Sequence, residues 1–184
     1  MNGVRPRIHL SFSPQGRALY YGERALAGLR ELGELRLNDA EATPTEAELV
    51  EAVRDCEVLV ADRRLALGAG FFAAAPRLVA VLRCAMDIRT IDVAAASEAG
   101  VLVTHASAGF GNAVAEWVLG ALLDGARGFS RSVCDYRAGA APAVAMGREL
   151  RGATAGIVGL GHIGRRVGEL LCALGMRVVA SDPQ

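Results

Sequence analysis

A glycine-rich segment holds the residues whose types and spacing most directly suggest a binding chemistry. A short apolar run at 154–158 is followed by Gly159, Gly161 and Gly164 in the spacing GxGxxG. In this arrangement the first glycine permits a tight turn, the second lets the backbone approach a pyrophosphate, and the third lets a helix pack closely on the strand. The N–H groups at the start of that helix then face the phosphates, together with the positive end of the helix dipole. The segment therefore predicts a phosphate site built from backbone.

The sequence on both sides strengthens this interpretation. Apolar residues recur at helical spacing from Ile163 to Leu174, a second strand is expected from 177, and Asp182 follows Gly164 by 18 residues. An acid at that distance is placed to bind the ribose hydroxyls, and it favours NAD over NADP. A carboxylate about 4 Å from a 2′-phosphate would cost on the order of 4 kcal/mol per charge pair near a surface. The alternative is a plain βαβ turn with no ligand. The predicted cofactor-binding residues are Gly159, Leu160, Gly161, His162, Ile163, Gly164 and Asp182.

Composition excludes several other functions. The chain of 184 residues is 52% hydrophobic and 22% charged, as expected of a globular protein, and its formal net charge is zero. No basic field would attract nucleic acid or an anionic membrane, so neither partner is predicted. All cationic side chains are arginines, which excludes a P-loop lysine and Schiff-base chemistry. With no secretory signal or membrane-spanning run in the sequence, we expect a cytoplasmic protein.

No metal site is predicted. The four cysteines are widely spaced without a CxxC pair and do not cluster with the three histidines, so we expect buried or inert thiols. His9 could be a ligand, but a lone histidine in a strand is more simply structural. The cysteines are Cys56, Cys84, Cys134 and Cys172.

Alternating strand and helix patterns predict an open, doubly wound α/β domain over residues 1–104. Strands are expected at 7–12, 34–37, 58–61, 78–82 and 101–104, a loop at 13–16, and helices at 20–32, 45–55, 67–75 and 92–98. A longer helix from Asn112 toward Arg127 is predicted to present Val114, Trp117, Val118, Ala121 and Leu122 on one face. Residues 128–146 show no clear pattern. The glycine segment then belongs to a second domain, predicted over 105–184.

Three blocks resemble the D-isomer-specific 2-hydroxyacid dehydrogenases, a family that includes D-3-phosphoglycerate dehydrogenase. They are residues 75–78 leading to Arg83 and Asp92, residues 114–116, and residues 149–164 continuing to Asp182. The resemblance implies a flavodoxin-like substrate domain over 1–104, followed by the first half of a Rossmann NAD-binding domain. It also implies a homodimer and hydride transfer between NAD(H) and a small 2-hydroxy or 2-keto acid.

The family's catalytic residues are an arginine that holds the substrate carboxylate and a histidine paired with a glutamate as acid and base. They lie downstream of the glycine motif, beyond Gln184 of this sequence. We therefore expect the chain to be truncated within the NAD-binding domain, to contain no catalytic residue and to be inactive alone. The alternative is a catalytically silent NAD-binding or dimerisation module.

The family's substrate loop, Ala-Gly-x-Gly-x-Asp-Asn, corresponds here to Cys84-Ala85-Met86-Asp87-Ile88-Arg89-Thr90. Both glycines are replaced, by Ala85 and Asp87. The resemblance implies a substrate-contacting loop at Ala85, Met86 and Asp87. Asp87 has two interpretations, a surface acid paired with Arg89 or a residue that narrows the substrate range.

Overall fold

The protein was analysed as a computed structural model that describes residues 5–183. The chain divides into two compact units, one ending at Ser107 and the other beginning at Ala108.

The first unit is built on a five-stranded parallel sheet. In sheet order the strands run β2-β1-β3-β4-β5, and Ile8 of β1 lies opposite Leu35 of β2 and Val58 of β3. This confirms the predicted doubly wound parallel α/β fold, in which the order reverses next to β1. The strands are β1 (Arg7–Leu10), β2 (Glu34–Leu37), β3 (Val58–Ala61), β4 (Ala80–Arg83) and β5 (Leu102–His105).

Helices alternate with these strands. They are α1 (Pro14–Tyr20), α2 (Glu23–Leu32), α3 (Glu46–Val53), α4 (Ala69–Ala74) and α5 (Val93–Glu98). Helix α3 begins with the predicted capping box, in which the Thr45 hydroxyl accepts from the Glu48 N–H and the Glu48 carboxylate accepts from the Thr45 N–H. Each bond satisfies a backbone donor that helix geometry would leave without a partner.

The core lies on both faces of this sheet. Successive side chains of a strand point to opposite faces, and in β3 Leu59 belongs to a cluster with Val81 and Phe71, whereas Val60 belongs to a second cluster with Leu10. All five side chains are buried. Because both faces are covered there, the central strand β3 has the continuous apolar sequence Val-Leu-Val-Ala.

The predicted loop at 13–16 is wrong, because these residues begin α1. The Ser13 hydroxyl accepts a hydrogen bond from the Gly16 N–H at 3.1 Å, and Pro14 occupies the first helical position. Proline is tolerated there because that N–H has no partner within the helix. Pro14 and Gly16 are common loop residues, but here they follow a helix N-cap at Ser13.

The second unit has a two-stranded parallel sheet and three helices among the described residues. They are α6 (Gly111–Arg127), α7 (Phe129–Arg137), β6 (Thr154–Val158), α8 (His162–Ala173) and β7 (Arg177–Ser181). Strands β6 and β7 pair in parallel, with Val158 opposite Ser181. Helix α7 was not predicted. It follows directly after α6, because Gly128 adopts φ +72° and ends that helix in the left-handed conformation.

The predicted apolar face of α6 is only partly right. Ala115 is fully buried, and Val118 and Leu122 join it against the core of α8. Trp117 lies elsewhere on the helix and is 74% exposed, and the Ala121 side chain is exposed too. The apolar residues of α6 cover more than one face, so periodicity alone could not select the packed one.

Of the four cysteines, Cys56 is buried, as one of the two expected states requires, whereas Cys84, Cys134 and Cys172 are exposed. Within residues 5–183, no helix combines the length and hydrophobicity needed to cross a bilayer.

Candidate functional site

The glycine segment forms a tight connection between β6 and α8. Gly159 has φ +92°, a conformation that residues with side chains rarely adopt, and its N–H donates to the Ser181 carbonyl at 2.8 Å. Gly161 is the N-cap of α8 and no side chain caps this end. The first N–H groups of the helix are therefore available to an anion.

Gly164 and Gly161 play different steric roles. A Cβ on Gly164 would overlap the carbonyl oxygen of Gly159 and lie 3.4 Å from the Ile157 side chain, so only glycine lets α8 approach the loop this closely. A Cβ on Gly161 would have no atom of residues 5–183 within 4 Å. The glycine at 161 is therefore not required by packing, and it leaves open space beside the helix N-terminus.

Asp182 lies directly beside this loop. It follows the last residue of β7, and its carboxylate accepts a hydrogen bond from the backbone N–H of Leu160. The parallel pairing of β6 with β7 brings the ends of both strands to the same edge, which places the acid next to the glycines. A negative charge and a set of N–H donors thus share one exposed edge of the sheet.

The helix start carries further side chains. His162 packs against Gly111 so closely that a Cβ at Gly111 would overlap the imidazole, while Ile163 is 41% exposed. Arg165 was not among the predicted site residues, yet its Nε donates to the Leu160 carbonyl at 2.9 Å and so fixes the loop from the helix side. The sequence signal that could have indicated this role is a cationic residue immediately after the third glycine.

Arg83 organises the other candidate region, the loop that follows β4. It is 2% exposed and donates to the carbonyls of Asp62 at 2.7 Å and Leu65 at 2.9 Å and to the Thr90 hydroxyl at 3.0 Å. Among the residues that the structure describes, its Nε has no hydrogen-bond partner, and burial lowers the pKa of the guanidinium. Arg83 therefore ties the loop after β3 to the loop after β4.

Asp87 forms a surface ion pair with Arg89. Its carboxylate accepts from the Arg89 guanidinium at 2.7 and 2.9 Å and from the Arg89 backbone N–H at 3.0 Å. These donors hold the pKa of Asp87 well below its usual range. The geometry is that of the surface-pair alternative, and it shapes the loop by bridging two residues in the turn. Of the other two loop residues, Met86 is 54% exposed and Ala85 is half-buried.

His9 lies in the first unit, on the floor of a separate depression. It is 6% exposed and lines a cavity of about 250 Å³ with Asn38, Thr43 and Leu49. Burial, helped by the nearby charge of Arg36, lowers its pKa to about 4, so the imidazole is neutral at pH 7. This agrees with a structural histidine.

These features define the class. The chain combines a doubly wound parallel α/β unit with a second unit whose strand–turn–helix carries a Rossmann-type glycine loop and an acid at the end of the next strand. The sequence profile of the family described as "D-isomer specific 2-hydroxyacid dehydrogenase, catalytic domain" matches residues 18–165. The chain belongs to this family.

Two relatives and one solved structure illustrate the similarity. The chain is 32% identical to a D-3-phosphoglycerate dehydrogenase of Methanocaldococcus jannaschii over 163 residues, 88% of this chain and 30% of the relative. It is 32% identical to a glyoxylate reductase of Korarchaeum cryptofilum over 165 residues, 87% of this chain and 50% of the relative. The chain thus spans half or less of these relatives.

The structure of D-lactate dehydrogenase from Aquifex aeolicus, complexed with NAD and lactic acid, matches with a TM-score of 0.75 at 24% identity. The match covers 97% of this chain and 51% of that one, and at this identity it establishes the fold alone.

Proposed function

We propose that the protein is an NAD-dependent oxidoreductase that transfers a hydride between NAD(H) and a 2-hydroxy or 2-keto acid. Residues 1–104 form the substrate domain, and residues 105–184 belong to the NAD-binding domain. The observation that best supports this proposal is the arrangement of Gly159, Gly161 and Asp182 at one sheet edge. This arrangement fits the pyrophosphate and ribose of a dinucleotide.

The residues have distinct tasks in this proposal. NAD(H), when bound, supplies or accepts the hydride. The N–H groups at the start of α8 hold the pyrophosphate, for which the open space at Gly161 leaves room. Asp182 accepts hydrogen bonds from the ribose hydroxyls and disfavours a 2′-phosphate. Arg165 and Gly164 keep the loop in shape.

On the substrate side, backbone N–H groups of Ala85, Met86 and Asp87 receive the substrate carboxylate. Arg83 keeps this loop in place through its bond to Thr90. Asp87 stands where the family has its second glycine, and its hydrogen bonds to Arg89 hold the turn in one conformation. A bridged turn narrows the range of acids that the loop accepts.

We further propose that the 184-residue polypeptide alone does not turn over substrate. A hydride transfer of this kind needs a proton donor with a pKa near working pH. Of the three histidines, His9 is buried and held neutral, and His105 makes a hydrogen bond through Nδ1 to the neighbouring Ala106 carbonyl oxygen. His162 stands at the start of α8, where its ring packs against Gly111.

The alternative function is a silent NAD-binding or dimerising module, and exposed aromatic side chains of the second unit bear on its dimerising part. Helices α6 and α7 expose Trp117 at 74%, Phe129 at 52% and Tyr136 at 71%. Aromatic side chains in this number are typical of an interface. A homodimer formed through them is compatible with both functions, and light scattering on the wild-type chain and on Trp117→Ser tests it.

NADH binding and turnover test the main proposal together. The chain has one tryptophan, so energy transfer from Trp117 to NADH reports binding. We expect saturable NADH binding and no loss of NADH absorbance with glyoxylate or phenylpyruvate. Absence of binding would overturn the NAD assignment, and measurable turnover would overturn the proposed inactivity. Sequencing the gene past Gln184 separates the two functions, since an in-frame continuation with Arg, Glu and His in that order favours the enzyme.

A further inference from the structure

An aromatic cluster lies against the start of the loop that follows β4. Phe12 comes just after β1, and its ring centroid lies 5.0 Å from that of Tyr21 and 6.3 Å from that of Tyr20, both in edge-to-face geometry. The Tyr21 hydroxyl lies 3.1 Å from the Cys84 sulfur. Because β1 and β4 are parallel strands of one sheet, their carboxyl ends bring the cluster and the loop to the same edge.

Part of this cluster faces solvent. Phe12 is buried, but Tyr20 is 72% exposed and Met86, in the loop itself, is 54% exposed. Burial and the Cys84 side chain raise the pKa of Tyr21 far above its ordinary value, so its ring and hydroxyl are neutral. The side chains of Tyr20, Tyr21 and Met86 therefore carry no charge, although Asp87 in the same loop does.

Three of the arginines at this edge are already paired. Arg17 donates to the Phe12 carbonyl and pairs with Asp39, Arg64 pairs with Asp62 at 3.1 Å, and Arg89 pairs with Asp87 at 2.7 Å. A phosphate group entering here would meet the Asp87 carboxylate and have to compete for each guanidinium. Arg63, which also follows β3, is exposed and could attract a phosphate group. A phosphorylated acid is therefore the comparison ligand in the experiment below.

We propose that Tyr20, Tyr21 and Met86 form the wall that receives the substrate's side chain, and that the substrate is a 2-hydroxy or 2-keto acid with an uncharged, apolar group at carbon 3. This rests on the proposed function, which places the substrate carboxylate at residues 85–87. An aryl or branched alkyl group would bury apolar surface against the rings and the thioether. A phosphorylated acid gains no such burial and meets a carboxylate.

Two acids that differ only at carbon 3 test the proposal. D-3-phenyllactate and D-3-phosphoglycerate are titrated into the 184-residue chain labelled with ¹³C at the methionine methyl groups, with and without NADH. We expect the Met86 methyl signal to shift saturably with phenyllactate, with a Kd at least tenfold lower than for phosphoglycerate. Met146 is 98% exposed in the other unit and serves as the internal control, whose signal should not move.

Matched variants assign the effect to the wall. Tyr20→Ala should weaken phenyllactate binding at least fivefold, whereas Tyr136→Ala, which removes an equally exposed tyrosine of the other unit, should not. An unmoved Met86 signal, equal or tighter phosphoglycerate binding, or an unaffected Tyr20→Ala variant would each overturn the proposal. NADH binding in the same samples shows whether the proposed function or only the proposed substrate class has failed. If NADH binds while phosphoglycerate is preferred, only the substrate class is wrong, whereas loss of NADH binding contradicts the proposed function.

Discussion

The carboxylate of Asp182 accepts a hydrogen bond from the backbone N–H of Leu160, so the acid at the end of β7 contacts the middle of the glycine loop. Both partners come from ends of neighbouring parallel strands, which is why residues 22 positions apart meet. This contact places a carboxylate against the middle of the loop.

Cofactor preference should depend on the charge of Asp182. Asp182→Ala and Asp182→Asn should each shrink the preference for NADH over NADPH by two to three powers of ten, at about 1.4 kcal/mol per decade. The asparagine variant retains an acceptor for the Leu160 N–H, so it isolates the charge from the hydrogen bond. The ratio of the two dissociation constants is the measurement, with Glu149→Ala as the control for an exposed acid of the same unit. An unchanged ratio in both variants would remove Asp182 from the cofactor site.

Two glycine-to-alanine variants should separate packing from binding. Gly164→Ala forces a methyl group into the Gly159 carbonyl oxygen and should lower the melting temperature of the second unit markedly. Gly161→Ala meets no protein atom and should leave the melting temperature unchanged while weakening NADH binding at least tenfold. Thermal unfolding and NADH titration on both variants give the comparison. Full NADH affinity in Gly161→Ala would show that the open space there is not the cofactor's.

Acid should destabilise the first unit through His9. The folded pKa of about 4 lies below the ordinary value of 6.5, so between these pH values the unfolded chain binds a proton that the folded chain does not. Stability should therefore fall as pH falls from 6.5 toward 4, by up to about 3 kcal/mol from this group. Urea unfolding of wild type and His9→Gln across this range measures it.

The difference between those two curves isolates His9 from the other titrating groups. His105→Gln, which alters an exposed histidine of the same unit, is the matched control. Identical pH dependence in wild type and His9→Gln would contradict a depressed pKa.

Limited proteolysis should distinguish the two units. Residues 140–150 have no regular secondary structure, and Val144 and Met146 are almost fully exposed, so we expect trypsin to cut first at Arg148. The two-stranded sheet of the second unit leaves Val158 94% exposed, and a sheet of two strands is marginal alone. We therefore expect rapid loss of residues 152–184 and a resistant core ending between Thr104 and Arg127.

Mass spectrometry of the digest identifies these ends. NADH should slow the loss of residues 152–184 without changing the rate at which the resistant core is digested. A digest in which the first unit disappears before the second would contradict this order of stability.

The sequence determined the features that depend on neighbouring residues. The capping box at Thr45 and Glu48, the apolar runs of the buried strands and the GxGxxG spacing are all local, because each is set by residues within a turn or a strand. Together with the alternation of elements they were enough for the fold class and for the family. Two local signals were still misread, at Pro14 and at the missed helix after Gly128.

Contacts between distant residues were decided only by the tertiary structure. Periodicity showed that α6 has apolar residues but not that Ala115 would be buried and Trp117 exposed, since that depends on where α8 packs. The inward burial of Arg83 depends on carbonyls of Asp62 and Leu65, which the sheet brings to it from another loop. The contact of Tyr21 with Cys84 likewise joins residues 63 positions apart. The residue pattern of one segment cannot specify which surface of a second segment will cover it, because the burial of a side chain depends on both packed segments.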